Sequence, residues 1–299
     1  MTATSGTAGT ATVETSETSE MNEMNETYDS YSELVARVRA GELGPDPATQ
    51  RIAVAFATRQ AVRHDGRGTG YRNEVLGLRL GRAVGSCAVE PGSLPDRAVE
   101  ECVGASVARL LEHPLPAVRV AALDAYLMHV TPHTPRNGAR AVPLPAGTSL
   151  EKSRARAKAV VALLDLPAEA TVLVVGVVNS LLEELRSRGL SYVPCDLKGG
   201  LTEWDETVTT DALAGAGRCD ALLVSGMTLG NDTFEPLRRH ALAHGKQLVM
   251  FAQTGSAVMP RFLGHGVSAV CAEPYPFFWL DGGPGTVHRY GGPRPEAGR

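Results

Sequence analysis

Long apolar runs are missing from this 299-residue sequence. No stretch approaches the roughly 20 consecutive apolar residues that a membrane helix needs, so no membrane partner is expected. Surplus positive charge is missing too. The 29 Lys and Arg against 33 Asp and Glu leave a formal net charge of −4. That balance gives no general attraction to nucleic acid or to an anionic bilayer. Aromatics are scarce, at 5%. The five cysteines (Cys87, Cys102, Cys195, Cys219, Cys271) contain no Cys-x-x-Cys pair and are odd in number. Buried, reduced thiols are expected, rather than a disulfide framework or a structural zinc site. Gly-x-Ser-x-Gly, His-Glu-x-x-His and the P-loop are absent, and no nucleophile–base pair is visible. Residues 1–27 are mostly Thr, Ser, Glu, Gly, Ala, Met and Asn, and the first cationic residue is Arg37. Secretory signals and transit peptides need basic residues there, so the cytoplasm is the expected compartment. The tail holds too little apolar surface to order itself, and a start at Met21 or Met24 is an alternative.

What the sequence does have is one run around which the rest is organised. Ala170 to Val175 is almost wholly apolar and β-branched, ends at Gly176, and passes into helix-like sequence from Leu181. Such a run reads as a strand buried on both faces, hence a parallel sheet. Gly176 allows a tight turn and close approach of a ligand to the backbone. Further strands read at 190–195, 221–225, 247–251 and 267–271. Helices read at 181–188, 233–243 and briefly at 257–263. The segment 201–216 is ambiguous. This alternation predicts an α/β fold with a doubly wound parallel sheet. Upstream, Ser30 opens a helix, and strands read at 51–60, 75–80 and 85–90. Helices follow from Pro95 to about Glu112 and from Ala117 to Val130, which makes a small α+β domain. Thr148 to Glu151 is a capping box for a helix to about Leu164. Its Lys152, Arg154, Arg156 and Lys158 read as a solvated face. The expected division is a disordered tail at 1–27, an α+β domain at 28–135, a linker at 136–148, the sheet domain at 149–290 and a disordered tail at 291–299.

Ligands of open α/β sheets sit beyond the carboxyl ends of the strands. Those positions hold Gly176, Asn179 and Ser180, then Asp196, twenty residues beyond Gly176, where a ribose-binding acid would stand. The glycines of a dinucleotide fingerprint are not there. After the 221–225 strand come Gly226, Thr228, Asn231 and Thr233, which serve either as helix caps or as a polar pocket floor. Gln253 and Thr254 follow the next strand. His240 and His244 have the i, i+4 spacing of a two-histidine metal site, and they also suit the negative end of a helix. His129 and His133 flank Pro132. Cys195 and Cys271 both end strands and could approach one another. The aromatic run Tyr275-Pro276-Phe277-Phe278-Trp279 reads as core, as a cover or stacking surface for a flat ligand, or as a subunit contact.

Val174-Val175-Gly176, Asp220 to Thr233 with its Gly-x-Thr-Leu-x-Asn-x-Thr pattern, Leu248 to Pro260, and Phe262-x-x-x-Gly266-Val267 resemble the putative heavy-metal-chelation family. The resemblance covers about 170–275 and implies a Rossmann-like domain following an enolase N-terminal-like domain. Two places depart from the family pattern: Ala252-Gln253-Thr254 replaces Gly-Pro-Ser or Gly-Pro-Thr, and Val177-Val178-Asn179 replaces a proline-containing loop. The first expectation is a small metal-chelating or metal-bearing ligand in the cleft between the domains, with a divalent metal or metal chelate as the cofactor. The alternatives are an enzyme using NAD or an S-adenosyl compound, and a non-catalytic partner protein. A homo-oligomer stays open.

Overall fold

The computed structural model describes residues 28–65, 67, 68 and 70–292. The tail read at 1–27, residues 293–299 of the second tail, and Gly66 and Thr69 of the glycine-rich turn lie outside the described residues. Helix α1 (Tyr31–Arg39) begins at Ser30, whose side chain accepts from the Glu33 N–H at 3.1 Å. Strands β1 (Val54–Val62), β2 (Tyr71–Leu80) and β3 (Ala83–Val89) form an antiparallel sheet in that order. The single helix expected from Pro95 to Glu112 is two short ones, α2 (Asp96–Glu100) and α3 (Val107–Leu110). Gly104 between them has φ +76°, which no right-handed helix accommodates. Helix α4 (Pro116–Val130) then packs on β3. The approach is very close: a Cβ on Gly85 would lie 2.0 Å from the Ala125 nitrogen and 2.3 Å from the Ala121 carbonyl oxygen.

The expected linker at 136–148 is a correction. Its Arg140–Leu144 forms β4, the edge of a seven-stranded sheet, antiparallel to β10 (Gly285–Gly291). Pro143 is tolerated because β4 is an edge strand. Gly291, read as tail, closes β10. Between these strands run α5 (Ser149–Val161), β5 (Thr171–Val175), α6 (Asn179–Ser187), β6 (Ser191–Cys195), α7 (Ala212–Gly217), β7 (Ala221–Ser225), α8 (Phe234–Ala243), β8 (Gln247–Ala252) and β9 (Ala269–Ala272). The sheet order is β4-β10-β9-β8-β7-β5-β6, and β6 to β9 are mutually parallel through β5. The sheet is therefore mostly parallel, with β10 alone running against the other strands, antiparallel to both β9 and β4. The order turns back at β5, between β6 and β7, so the switch point lies where β5 and β7 end. Cys195 and Cys271 do not meet, because β5, β7 and β8 lie between their strands. All five thiols are free and buried. Among the described residues no helix is long and apolar enough to cross a membrane.

The alternation of β5 explains how the parts join. Val172 and Val174 face α5 and α6, while Leu173 and Val175 face a core that continues into the N-terminal domain through Leu76, Leu123 and Tyr126. Polar contacts reinforce that apolar seam. Asp124 of α4 is fully buried. Its carboxylate accepts from the Ser86 N–H of β3 at 2.9 Å and from the Ala257 N–H at 2.7 Å. The Ser86 hydroxyl donates to the Gln253 carbonyl at 3.0 Å, and the Ala88 N–H donates to the Thr254 hydroxyl at 2.8 Å. One carboxylate thus ties β3 to the loop that follows β8.

Burial pushes the Asp124 carboxyl up to about 7, against the pull of its two backbone N–H partners and Ser256. Burial, with His288 beside it, pushes His133 down to about 3. The two groups are linked: Ser256 Oγ is 3.5 Å from both Asp124 Oδ1 and His133 Nε2. Between pH ~4 and ~7 the folded protein holds a proton on Asp124 that the unfolded chain has lost, so this group makes stability fall as pH rises. His133 acts in the opposite sense. From pH ~6.5 down towards 3 only the unfolded chain protonates it, so stability falls as pH falls. The two slopes offset one another in the wild type. In Asp124→Asn the midpoint of thermal unfolding should rise between pH 4.5 and 6.5 more steeply than in the wild type. Matching profiles for the two proteins would refute the assignment.

Candidate functional site

A cleft of about 410 Å³ opens at the switch point, between the carboxyl ends of the parallel strands and the face of the N-terminal sheet. Its floor is Gly176 and Ser225, which end β5 and β7. Gly176 adopts φ +90°, and a Cβ there would lie 2.7 Å from the Ser225 Cβ, so both the turn and the close strand approach require glycine. Tyr71, Asn73 and Val75 of β2 form the facing wall. Phe277, Phe278 and Trp279 close one side. The indole N–H of Trp279 donates to the Gln60 side chain of β1, so the aromatic segment bridges the two domains.

Of the residues expected at the site, four line the cleft: Gly176, Asp196, Gln253 and Thr254. Asp196 caps the floor: it accepts from the Lys198 N–H at 3.1 Å and the Val177 N–H at 3.4 Å. Thr254 spends its hydroxyl on Ala88, so its part is to hold the wall. Asn179 and Ser180 are buried behind the wall, where the Asn179 amide donates to Glu203 at 3.2 Å and Ser180 pairs with Ser153 at 2.9 Å.

Gly226, Thr228, Asn231 and Thr233 do not line the cleft. Gly226 touches the wall from behind, since a Cβ would fall 2.2 Å from the Thr254 carbonyl oxygen. The Thr228 hydroxyl donates to the Ser225 carbonyl at 2.8 Å. Asn231 is exposed, and its side-chain oxygen accepts from the Thr233 N–H and hydroxyl at 3.2 and 2.6 Å. Helix α8 has Thr233 as its N-cap and no side-chain cap bond, so these side chains neither floor the pocket nor cap the helix; Asn231 closes a local turn onto Thr233. Asn231→Ala should therefore cost about 1 kcal/mol or less in urea unfolding and leave ligand affinity in the cleft unchanged.

His240 and His244 stack with ring centroids 4.2 Å apart in the last turn of α8. Helix α8 starts at the carboxyl end of β7 and runs back, so its last turn lies at the opposite edge of the sheet from the cleft. Among the described residues no three His, Cys, Asp or Glu side chains group to hold a metal ion. The described residues therefore offer no donor set that fits a metal held by protein side chains alone. His129 likewise stands apart, 3.2 Å from where a Cβ on Gly81 would be. His133 is engaged with Tyr290 at 2.6 Å.

The basic cluster of α5 is the second correction. Lys152 and Arg156 are 1% and 5% exposed, so half of the supposed solvated face is interior. Lys152 donates to the Asp281 and Gly283 carbonyls and holds the segment after the aromatic run. Arg156 lines the cleft, and its Nε–H donates to Glu273 at 2.7 Å. Glu273 also accepts from Gln253 Nε2 at 2.8 Å and the Phe278 N–H at 2.7 Å. Arg156 was missed because charge alone suggested exposure. The available signal was spacing: positions 152, 156, 160 and 163 share one helix face, and Val160 and Leu163 are apolar.

Residues 159–272 match the DUF364 family, described as putative heavy-metal chelation. Two solved DUF364-family proteins share the fold. The one from Desulfitobacterium hafniense aligns over 86% of each chain with a TM-score of 0.54 and 12% identity. The one from Pyrococcus horikoshii covers 85% of this chain and 98% of its own, with a TM-score of 0.50 and 12% identity. Both alignments are too long to be confined to the C-terminal sheet domain. No curated protein matches the sequence.

Proposed function

We propose that the cleft binds a small metal-chelating or metal-bearing ligand whose own atoms supply the metal's donors. The observation that carries this reading is the cleft itself: about 410 Å³, at the switch point, walled by both domains and by aromatic rings, with cationic Arg156 at its inner side. That volume suits one small molecule. The family description, putative heavy-metal chelation, supports the metal in this reading, and placing the metal's donors on the bound molecule is consistent with no group of three His, Cys, Asp or Glu among the described residues.

One observation favours a second reading, a nucleoside-type cofactor. Asp196 stands in the cleft at the end of β6, as a ribose-binding acid would. Against it, Val177 and Val178 stand at the start of α6, where a dinucleotide-binding fingerprint has glycine.

Thermal unfolding of the full chain tests both readings, with Ni(II)–nitrilotriacetate, free Ni(II), NAD and S-adenosylmethionine as additions. A ligand at about 100 times its dissociation constant stabilises by about 2.7 kcal/mol. Stabilisation by the chelate but not by free metal is the expected result. Stabilisation by a nucleotide alone would overturn the chelate reading.

A further inference from the structure

We infer that Arg156 is the anchor for a carboxylate of the ligand, and that the ligand is a flat, conjugated carboxylate. This inference rests on the reading of the cleft as a ligand site. The Arg156 side chain is 6% exposed, yet only its Nε is paired. Its Nη groups have no hydrogen-bonding protein partner among the described residues, and neither is sealed from solvent. A guanidinium has five N–H donors in a fixed fork, so one edge remains to be matched by an outside acceptor.

The surroundings fix how that edge is presented. Glu273 holds Nε and is itself held by Gln253 and the Phe278 N–H, so the group it orients cannot swing freely. The guanidinium carbon lies 5.8 Å from the Phe251 ring centroid and 6.0 Å from that of Phe278. A planar cation held close to two aromatic rings offers a planar, bidentate site, which matches a carboxylate in shape as well as charge. The cleft beyond it continues the theme. Phe277, Trp279 and Tyr71 supply ring surface on which a conjugated ligand packs. Asp196 is the one carboxylate among the cleft-lining residues, and it lies at the β6 end of the floor. Of the Arg and Lys side chains that line the cleft, Arg72 and Lys198 are exposed and Lys198 is paired with Glu90, whereas Arg156 is buried, so the negative end of a ligand is directed to Arg156.

The test is equilibrium binding to the full chain, followed by calorimetry and by tryptophan fluorescence. The probes are pyridine-2,6-dicarboxylate, its uncharged diamide and inorganic phosphate. The dicarboxylate should bind, and the other two should bind about tenfold or more weakly. Arg156→Gln alone strands a buried Glu273 charge, so the deciding variant is Arg156→Gln with Glu273→Gln, which removes both charges together. It should unfold like the wild type and lose about tenfold or more in dicarboxylate affinity. Arg156→Lys, which keeps the charge without the fork, should lose affinity as well.

Equal binding of the diamide, preference for phosphate, no binding of the dicarboxylate, or affinity of the double variant within about twofold of the wild type would each overturn the anchor. If the double variant fails to fold, the dicarboxylate–diamide comparison on the wild type decides. The Ni(II) complex of the same dicarboxylate separates the two proposals. Binding that needs Arg156 but ignores the metal sinks the chelate reading alone. Binding that needs the metal but ignores Arg156 sinks the anchor alone.

Discussion

Asp124→Ala should destabilise the protein by roughly 2–6 kcal/mol at pH 7, because it strands two buried backbone donors at about 1–3 kcal/mol each. Those donors are the Ser86 and Ala257 N–H groups, one on β3 and one after β8. Neither has water to turn to, since Asp124, Ser86 and Ser256 are all fully buried. The loss should be a fall in the urea midpoint with the slope unchanged, measured at constant protein concentration. A second consequence is functional. Gln253 and Thr254 line the cleft and lie in the loop that Asp124 secures, so ligand affinity should fall with stability. A variant within about 1 kcal/mol of the wild type would show that these contacts are replaceable.

Gly85→Ala should be comparably damaging, at or above the roughly 3 kcal/mol upper range of overpacking. The three atoms nearest the added Cβ are all backbone, at 2.0, 2.3 and 2.6 Å. No rotamer change relieves such a clash, so α4 must move away from β3. Asp124 is the residue before Ala125, whose nitrogen makes the shortest contact, and Ser86 follows Gly85. Moving the helix therefore pulls the carboxylate from its donor. The two substitutions break the same junction, and the double variant should lose less than the sum of the singles in a double-mutant cycle. Strict additivity would mean that the glycine and the carboxylate act independently.

Much of the C-terminal sheet was legible in the sequence. The 221–225 strand is observed as Ala221–Ser225 and the 190–195 strand as Ser191–Cys195. Continuous apolar runs bounded by glycine leave a chain few alternatives to a doubly covered strand. β4 and β10 were not legible as strands. Each is an edge or near-edge element with polar residues, and β4 has β10 as its one pairing partner, while β10 lies between β4 and β9. Pairing partners more than a hundred residues apart leave no local trace.

The candidate site divides in the same way. Position along a strand singled out Gly176, Asp196, Gln253 and Thr254, which line the cleft, because in an open sheet the carboxyl ends of the strands share one edge. It could not separate Thr254 from Thr228 or Asn231, which also follow a strand but spend their side chains on local turn bonds. Only tertiary structure made Arg156 part of the cleft. Burial of a cation is decided by Glu273, 117 residues away, and by the Phe251 and Phe278 rings near it. The sequence by itself determined the parallel strands and the glycine turn that follows the first of them, since these follow from local periodicity and backbone sterics. The tertiary structure decided which polar groups face the ligand space and which are spent on the fold, because that depends on pairs of residues that only packing brings together.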